Sequence, residues 1–190
     1  MDPLTSRPAA GGRRPRVATA WLGGCSGCHM SFLDLDERLL DLAGRVELVY
    51  SPIMDVKVFP EGVDVALVEG ACANEEHLQA ARTIRERSRL VVAFGDCAVA
   101  GNVTAIRNAL GSALPVLDRA YRDPADLQPG LPGEPGLLPA LLDTVLPLHQ
   151  VIAVDAWLPG CPPGADLIHA VLLDALAGRA PDLRGRLRYG

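Results

Sequence analysis

The sequence predicts a doubly wound α/β domain, a parallel sheet covered by helices on both faces. Three observations carry that prediction. Apolar runs such as Val63–Glu69 and Leu90–Phe94 lack the alternation of a half-exposed sheet. Segments of helical periodicity separate those runs, the βαβα order of a parallel sheet. A chain of 190 residues, 49% hydrophobic and 22% charged, is large and apolar enough to bury one core without staples, so global disorder is excluded.

Residues 1–15 carry Pro3, Pro8, Pro15, Gly11 and Gly12 without apolar periodicity and read as a flexible arm. Residues 16–190 read as a single domain. The pair Arg13-Arg14 invites a twin-arginine export reading, but the apolar run Val17–Leu22 that follows is too short for a signal segment. Arg13, Arg14 and Arg16 are therefore expected on a solvated arm, and the chain in the cytoplasm. No run approaches the roughly 18 apolar residues of a membrane span.

Val17–Leu22 reads as the first strand, ended by Gly23-Gly24. Met30–Ala43 reads as a helix, with Phe32, Leu35, Leu39 and Leu42 on one stripe. Asp34, Glu37, Arg38 and Asp41 suit its wet face, with Asp34 and Arg38 as an i,i+4 pair. Val46–Tyr50 and Val63–Glu69 follow as strands. Glu75–Arg87 is a helix with Glu75 and Glu76 first and Arg82, Arg85 and Arg87 later, as the helix dipole prefers.

Leu90–Phe94 is the fourth strand, Val103–Leu110 a short helix and Val151–Leu158 the fifth strand. A final helix runs from about Ala165 to Leu176 and is closed by Gly178. No Gly-x-Gly-x-x-Gly follows the first strand, so the three-layer sheet is expected to be flavodoxin-like rather than dinucleotide-binding. Residues 112–150 interrupt the alternation. Their Pro/Gly-rich core, residues 124–136, cannot hold regular structure. Such an irregular insertion before the last strand serves either as a contact surface or as a tolerated surface loop.

Charge and composition narrow the function classes. With 18 basic against 23 acidic residues the net charge is −5, which argues against a nucleic-acid binder. Aromatics at 4% disfavour a base-stacking platform. Five cysteines, Cys25, Cys28, Cys72, Cys97 and Cys161, are an odd number in a chain that needs no disulfides. They read first as metal or redox chemistry in a reducing compartment.

Cys25-Ser-Gly-Cys28 follows the first strand, Cys97 the fourth and Cys161 the fifth. Four thiolates thus share the carboxyl edge of one parallel sheet, where ligands of open α/β sheets bind. Zinc, an iron–sulfur cluster, or nothing at all are open to them. One Cys-x-x-Cys plus two isolated cysteines, framed by Gly and Pro, fits a [4Fe–4S] cluster better than the paired spacing of structural zinc. Gly23, Gly24 and Gly27 permit close approach, and Pro162 and Pro163 stiffen the last loop. Backbone N–H groups and the dipole at the first helix start are expected to stabilise an anionic cluster. A thioredoxin-like reading of Cys25/Cys28 leaves Cys97 and Cys161 unexplained.

The motifs Cys25-Ser-Gly-Cys28, Gly95-Asp-Cys97 followed by Gly101, and Gly160-Cys-Pro-Pro163 resemble the proximal-cluster set of [NiFe]-hydrogenase small subunits. The runs Gly27-Cys-His-Met-Ser-Phe-Leu-Asp-Leu-Asp-Glu-Arg38 and Val68-Glu-Gly70 are similar to the small subunits of cytoplasmic, bidirectional, NAD-linked hydrogenases. The homologous subunit of respiratory complex I opens with a tandem Cys-Cys, whereas here Gly24 precedes Cys25. Small subunits of membrane-bound hydrogenases carry two further clusters, and after Cys161 this sequence has no cysteines for them.

The resemblance implies one [4Fe–4S] cluster on Cys25, Cys28, Cys97 and Cys161, with no catalytic residue in this chain. It implies a large subunit holding a Ni–Fe centre for H2 chemistry. It also implies a diaphorase module with further iron–sulfur clusters, FMN and NAD, for the overall reaction H2 + NAD+ ⇌ H+ + NADH. Another acceptor, such as F420, a heterodisulfide reductase, NADP or a quinone, stays open, as does a stand-alone thiol or zinc protein.

Secondary candidates are weaker. Cys72 also follows a strand, but the family pattern uses only the other four, so it reads as a small core residue. Glu69 is expected either to tune the cluster, to face the large subunit or to pair locally. His29 is expected at the helix start or in solvent, or donating to the cluster or a partner; His77, His149 and His169 show no metal-ligand spacing. The loop that would cradle a flavin phosphate is given over to thiols, so no flavin is predicted here.

Overall fold

The structure, a computed structural model, describes residues 12–123 and 129–179, together with residues 183 and 185. The proposed arm, residues 1–15, lies mostly outside the described residues, as do residues 124–128 of the Pro/Gly-rich stretch. Five parallel strands form the main sheet: β1 (Arg16–Trp21), β2 (Glu47–Tyr50), β3 (Val63–Glu69), β5 (Ser88–Phe94) and β7 (Ala156–Leu158). Their spatial order is β2-β1-β3-β5-β7, the flavodoxin-like arrangement. Every residue of β3 is buried, as the continuous apolar run requires of a central strand.

Side chains of alternate strand residues feed two cores. Val65, Leu67, Val92 and Phe94 face one side with Phe32, Leu42, Ile168 and Leu172. Ala18, Ala20, Ala66 and Ala93 face the other with Ala81 and Ile84, and their small size allows close helix approach. The first core is covered by α1 (Gly27–Leu33), α2 (Glu37–Arg45) and α7 (Ala165–Leu176), the second by α3 (Glu75–Arg87) and α4 (Asp96–Ala100).

The helix expected over Met30–Ala43 is two helices. The break falls at Asp36, whose φ of +49° ends one helical run before Glu37 starts the next. Arg38 consequently turns away from Asp34 and pairs with Asp166 of α7 at 2.6 Å. The expected strand Val151–Leu158 is also shorter: a 3-10 turn spans Leu148–Gln150, the N–H of Ile152 donates to the Leu148 carbonyl, and only Ala156–Leu158 pairs with β5. Within the interruption, α6 (Leu114–Tyr121) and β6 (Leu141–Leu146) are ordered, and α5 (Asn102–Ala105) continues as a 3-10 turn to Leu110. β6 pairs antiparallel with the short β4 (Cys72–Asn74), forming a second sheet.

Arg13 and Arg16 are not free in solvent. Arg13 holds the Asp64 carboxylate through two bonds of 2.9 and 3.2 Å, and the Arg16 guanidinium reaches the carbonyls of Glu61 and Gly62. These contacts tie the chain before β1 to the start of β3.

Candidate metal centre

The parallel register sets the site. Trp21 lies opposite Glu69, Glu69 opposite Phe94, and Phe94 opposite Leu158, so the four strand ends form one row. Cys25, Cys97 and Cys161 follow that row by three or four residues, which brings segments distant in sequence to one edge. Cys28 and Cys97 are buried and form the floor, while Cys25 and Cys161 are exposed at the rim.

Cys72 follows Glu69 at the same offset but is carried elsewhere. Gly23 and Ala71 exchange two backbone bonds, 2.9 and 2.7 Å, and the chain then enters β4. There Cys72 is fully buried in the second core, and its Sγ lies 3.8 Å from the His77 carbonyl.

Three loops interlock around the Cys28 sulfur. A Cβ on Gly95 would lie 2.1 Å from Cys28 Sγ and 3.5 Å from the Gly160 carbonyl oxygen. Gly95 has φ +84°, so the position is closed to side chains by conformation as well as by space. Gly160, at φ +135°, would place a Cβ 2.6 Å from Pro163 Cα. Ser31 Oγ–H donates to the Pro163 carbonyl at 2.6 Å, fastening α1 to the Cys161 loop.

Electrostatics records the crowding. Burial raises the Cys28 thiol pKa well above its ordinary value, and Glu69, Cys97, Cys25 and Cys161 raise it further. Burial also raises Cys97, with Cys25 and Cys161 acting the same way, while the nearby backbone of Thr104 and Val103 opposes the shift. Four thiols gathered at one sheet edge need compensating positive charge when ionised, which iron or another metal supplies. The donor set and the Gly95 cradle therefore fit a thiolate-bound metal centre. Among the described residues, no three His, Cys, Asp or Glu side chains converge closely enough for one metal ion.

Two of the first-helix amides act differently from expectation. The N–H groups of Cys28 and His29 donate to the Glu69 carboxylate, at 3.4 and 2.9 Å, so they are spent within the protein. The amide of Gly27, the first residue of α1, does meet a thiol sulfur, 3.4 Å from Cys25 Sγ. Glu69 also takes His29 Nδ1 at 2.5 Å, and both side chains are buried. His29 is thus no solvent residue; its ring centroid lies 6.3 Å from that of Trp21 and 6.0 Å from that of Phe94.

Sequence reasoning singled out Glu69 and His29 but not their pairing, because no spacing rule links positions 40 residues apart. It missed Ser31 and Asp96 altogether. Of the other histidines, His77 accepts the Ala73 N–H at 3.2 Å, with burial lowering its pKa, and the His149 ring lies tilted against Trp157 at a centroid distance of 5.2 Å.

Comparison with known proteins agrees with this geometry. Residues 25–175 match the family model described as NADH ubiquinone oxidoreductase, 20 Kd subunit. The delta subunit of the NAD-reducing hydrogenase HoxS of Cupriavidus necator is 39% identical over 187 residues, covering 96% of this chain and 88% of that protein. An F420-non-reducing hydrogenase subunit from Methanothermobacter marburgensis is 38% identical over 88% of this chain, and the match spans only 55% of that subunit's length. Among solved structures, a chain of an NAD+-reducing [NiFe]-hydrogenase in the H2-reduced state superposes with a TM-score of 0.87 at 43% identity, over 94% of this chain and all (100%) of that one. A [NiFeSe]-hydrogenase chain from Dm. baculatum shares the fold, with a TM-score of 0.59 at 17% identity over 87% of this chain and 63% of that one. The chain belongs to the family of the NADH ubiquinone oxidoreductase 20 kDa subunit, together with the small subunits of NAD-reducing hydrogenases.

Proposed function

We propose that this chain is the electron-transfer small subunit of an NAD-linked [NiFe] hydrogenase. Cys25, Cys28, Cys97 and Cys161 would hold one [4Fe–4S] cluster within a single domain over residues 16–190. The observation that carries the reading is the convergence of three ligand loops around the Gly95 cradle at one sheet edge. When bound, a cluster there supplies one-electron storage and release at a potential set by its surroundings.

The residues of the chain do the rest. Four thiolates provide ligands, Phe94 and Leu158 wall the floor from water, and the amide of Gly27 and the backbone of Val103 and Thr104 offset sulfur charge. Trp21 and Met30, 47% and 60% exposed on the segments flanking Cys25, offer an apolar rim for a large subunit carrying the Ni–Fe centre. A diaphorase module with its own iron–sulfur clusters, FMN and NAD would accept the electrons. Among the described residues no helix is long and apolar enough to cross a membrane, and a cytoplasmic site suits thiolate ligands.

A second reading, an equivalent subunit serving another acceptor, is favoured by the relatives from F420-non-reducing hydrogenases. The NAD-linked reading has the stronger support because the match to the HoxS delta subunit runs along nearly the whole of both chains.

The test is anaerobic purification of the chain with its large subunit, followed by iron and sulfide analysis and EPR before and after dithionite. About four irons and a signal that responds to reduction are expected. Zinc, or a metal-free chain with a Cys25–Cys28 disulfide, would overturn the proposal. Reduction of NAD+ by H2 in the purified complex separates the NAD-linked reading from its alternative.

A further inference from the structure

Asp96 and Gly160 immediately precede two of the four cysteines, and they are joined reciprocally. The Asp96 N–H donates to the Gly160 carbonyl at 2.9 Å, and the Gly160 N–H donates to Asp96 Oδ1 at 2.7 Å. The two residues are 64 positions apart, so the ring they close ties the Cys97 loop to the Cys161 loop.

Its place in the fold explains why a side chain is needed. The β5–β7 ladder ends at the Phe94–Leu158 pair, and the Gly95 N–H makes one more bond to the Leu158 carbonyl at 2.8 Å. Beyond that point β5 turns into α4, and Gly160 reverses the opposite chain at φ +135°. A strand partner for the Gly160 amide no longer exists there. The Asp96 carboxylate takes its place, and a charge-assisted bond is about twice as strong as a neutral one.

The far end of the same loop is held by Ser31 through the Pro163 carbonyl. Cys161 therefore sits on a segment fastened on both sides, although its own side chain is exposed at the rim. An exposed ligand on an unfastened loop would be the first to leave a metal centre.

We propose that Asp96 is a positioning residue, which fixes the spacing of the Cys97 and Cys161 ligands through its clasp on Gly160. The inference rests on the cluster reading above. The carboxylate acts as a hydrogen-bond acceptor for the loop, and its charge strengthens that bond.

The test compares the wild-type complex, produced with its large subunit, with Asp96→Ala and Asp96→Asn. After anaerobic reduction, iron release to a chelator is timed and the EPR line shape is recorded. Asp96→Ala is expected to release iron roughly tenfold to a hundredfold faster with a broadened signal, the range set by a lost charge-assisted bond. Asp96→Asn keeps an acceptor oxygen but loses the charge assistance, and is expected to fall between the two, roughly twofold to fivefold faster than wild type.

Unchanged release from Asp96→Ala, or release from Asp96→Asn as fast as from Asp96→Ala, overturns the clasp while leaving the cluster reading intact. A wild-type complex without iron in this chain overturns both. Should Asp96→Ala fail to accumulate folded, hydrogen exchange in the wild-type and Asp96→Asn complexes decides. Protection of the Gly160 amide in both supports the clasp, and free exchange of it in wild type removes it.

Discussion

Glu69 and His29 are joined twice, through the His29 amide at 2.9 Å and its ring Nδ1 at 2.5 Å, although one ends β3 and the other lies in α1. Glu69 is 1% exposed, and its other oxygen faces the Cys28 amide. Ser26, at the start of α1, makes no side-chain capping bond, so a carboxylate from across the sheet takes that role. The same interaction that starts the helix sets the height of Cys28 above the sheet.

Removing the carboxylate should therefore unfasten the first turn. Glu69→Ala leaves two amides and a ring nitrogen without their acceptor and is expected to cost about 3–5 kcal/mol. Glu69→Gln keeps one acceptor oxygen and is expected to cost about 1–2 kcal/mol. Urea midpoints of the two variants against wild type check the order. Equal losses would mean that the negative charge, and not the acceptor geometry, is what matters.

Gly95 tests the cradle. A methyl group there meets Cys28 Sγ at 2.1 Å, and φ +84° adds backbone strain. Gly95→Ala is expected to destabilise the fold by about 2–3 kcal/mol and to displace the sulfur, so that less than roughly half of the iron is retained. Iron analysis beside a thermal melt separates displacement of the sulfur from general unfolding. Full iron at unchanged melting temperature would count against the interlocked arrangement.

The four-plus-one division of the cysteines gives the next prediction. Cys161 stands at the rim of the candidate metal centre, whereas Cys72 is buried in the second core at the start of β4. Cys161→Ser should lose most cluster iron, since serine oxygen is a poor substitute for thiolate. Cys72→Ser should keep nearly all of it. Equal losses in anaerobically isolated protein would overturn the ligand assignment.

The parts legible in the sequence were those that local chemistry controls. Continuous apolar runs marked β3 and β5, and the positions of Cys25, Cys97 and Cys161 after strand ends placed them at one edge. Asp36 broke the long helix invisibly, because aspartate at a positive φ looks like any wet-face residue of a periodic pattern. β4 and β6 escaped notice because a strand of three residues has no period, and its partner lies beyond the Pro/Gly-rich loop. Asp96 and Ser31 were silent for a related reason: their partners are backbone groups of a distant loop, and a polar side chain in sequence does not name the carbonyl or amide it will meet.

Cys72 provides a pH test outside the candidate metal centre. Burial pushes its thiol up to about 11 from an ordinary value of 9.0, while Arg82 pulls slightly the other way. Below about pH 9 the thiol is protonated in both the folded and unfolded chain, and it contributes no pH dependence. Between those two values the folded chain binds more protons than the unfolded one, so stability falls as pH rises. A shift of this size corresponds to a loss of about 2–3 kcal/mol by the top of the window. Cys28 and Cys97 are raised as well, so the informative quantity is the difference between wild type and Cys72→Ala in the same complex. Urea midpoints at about pH 8 and about pH 10.5 are expected to converge: Cys72→Ala starts less stable because it leaves a small cavity, and it loses less on going alkaline. Parallel pH curves for the two proteins would show that Cys72 ionises as readily in the folded chain as in the unfolded one, contrary to its complete burial in the second core.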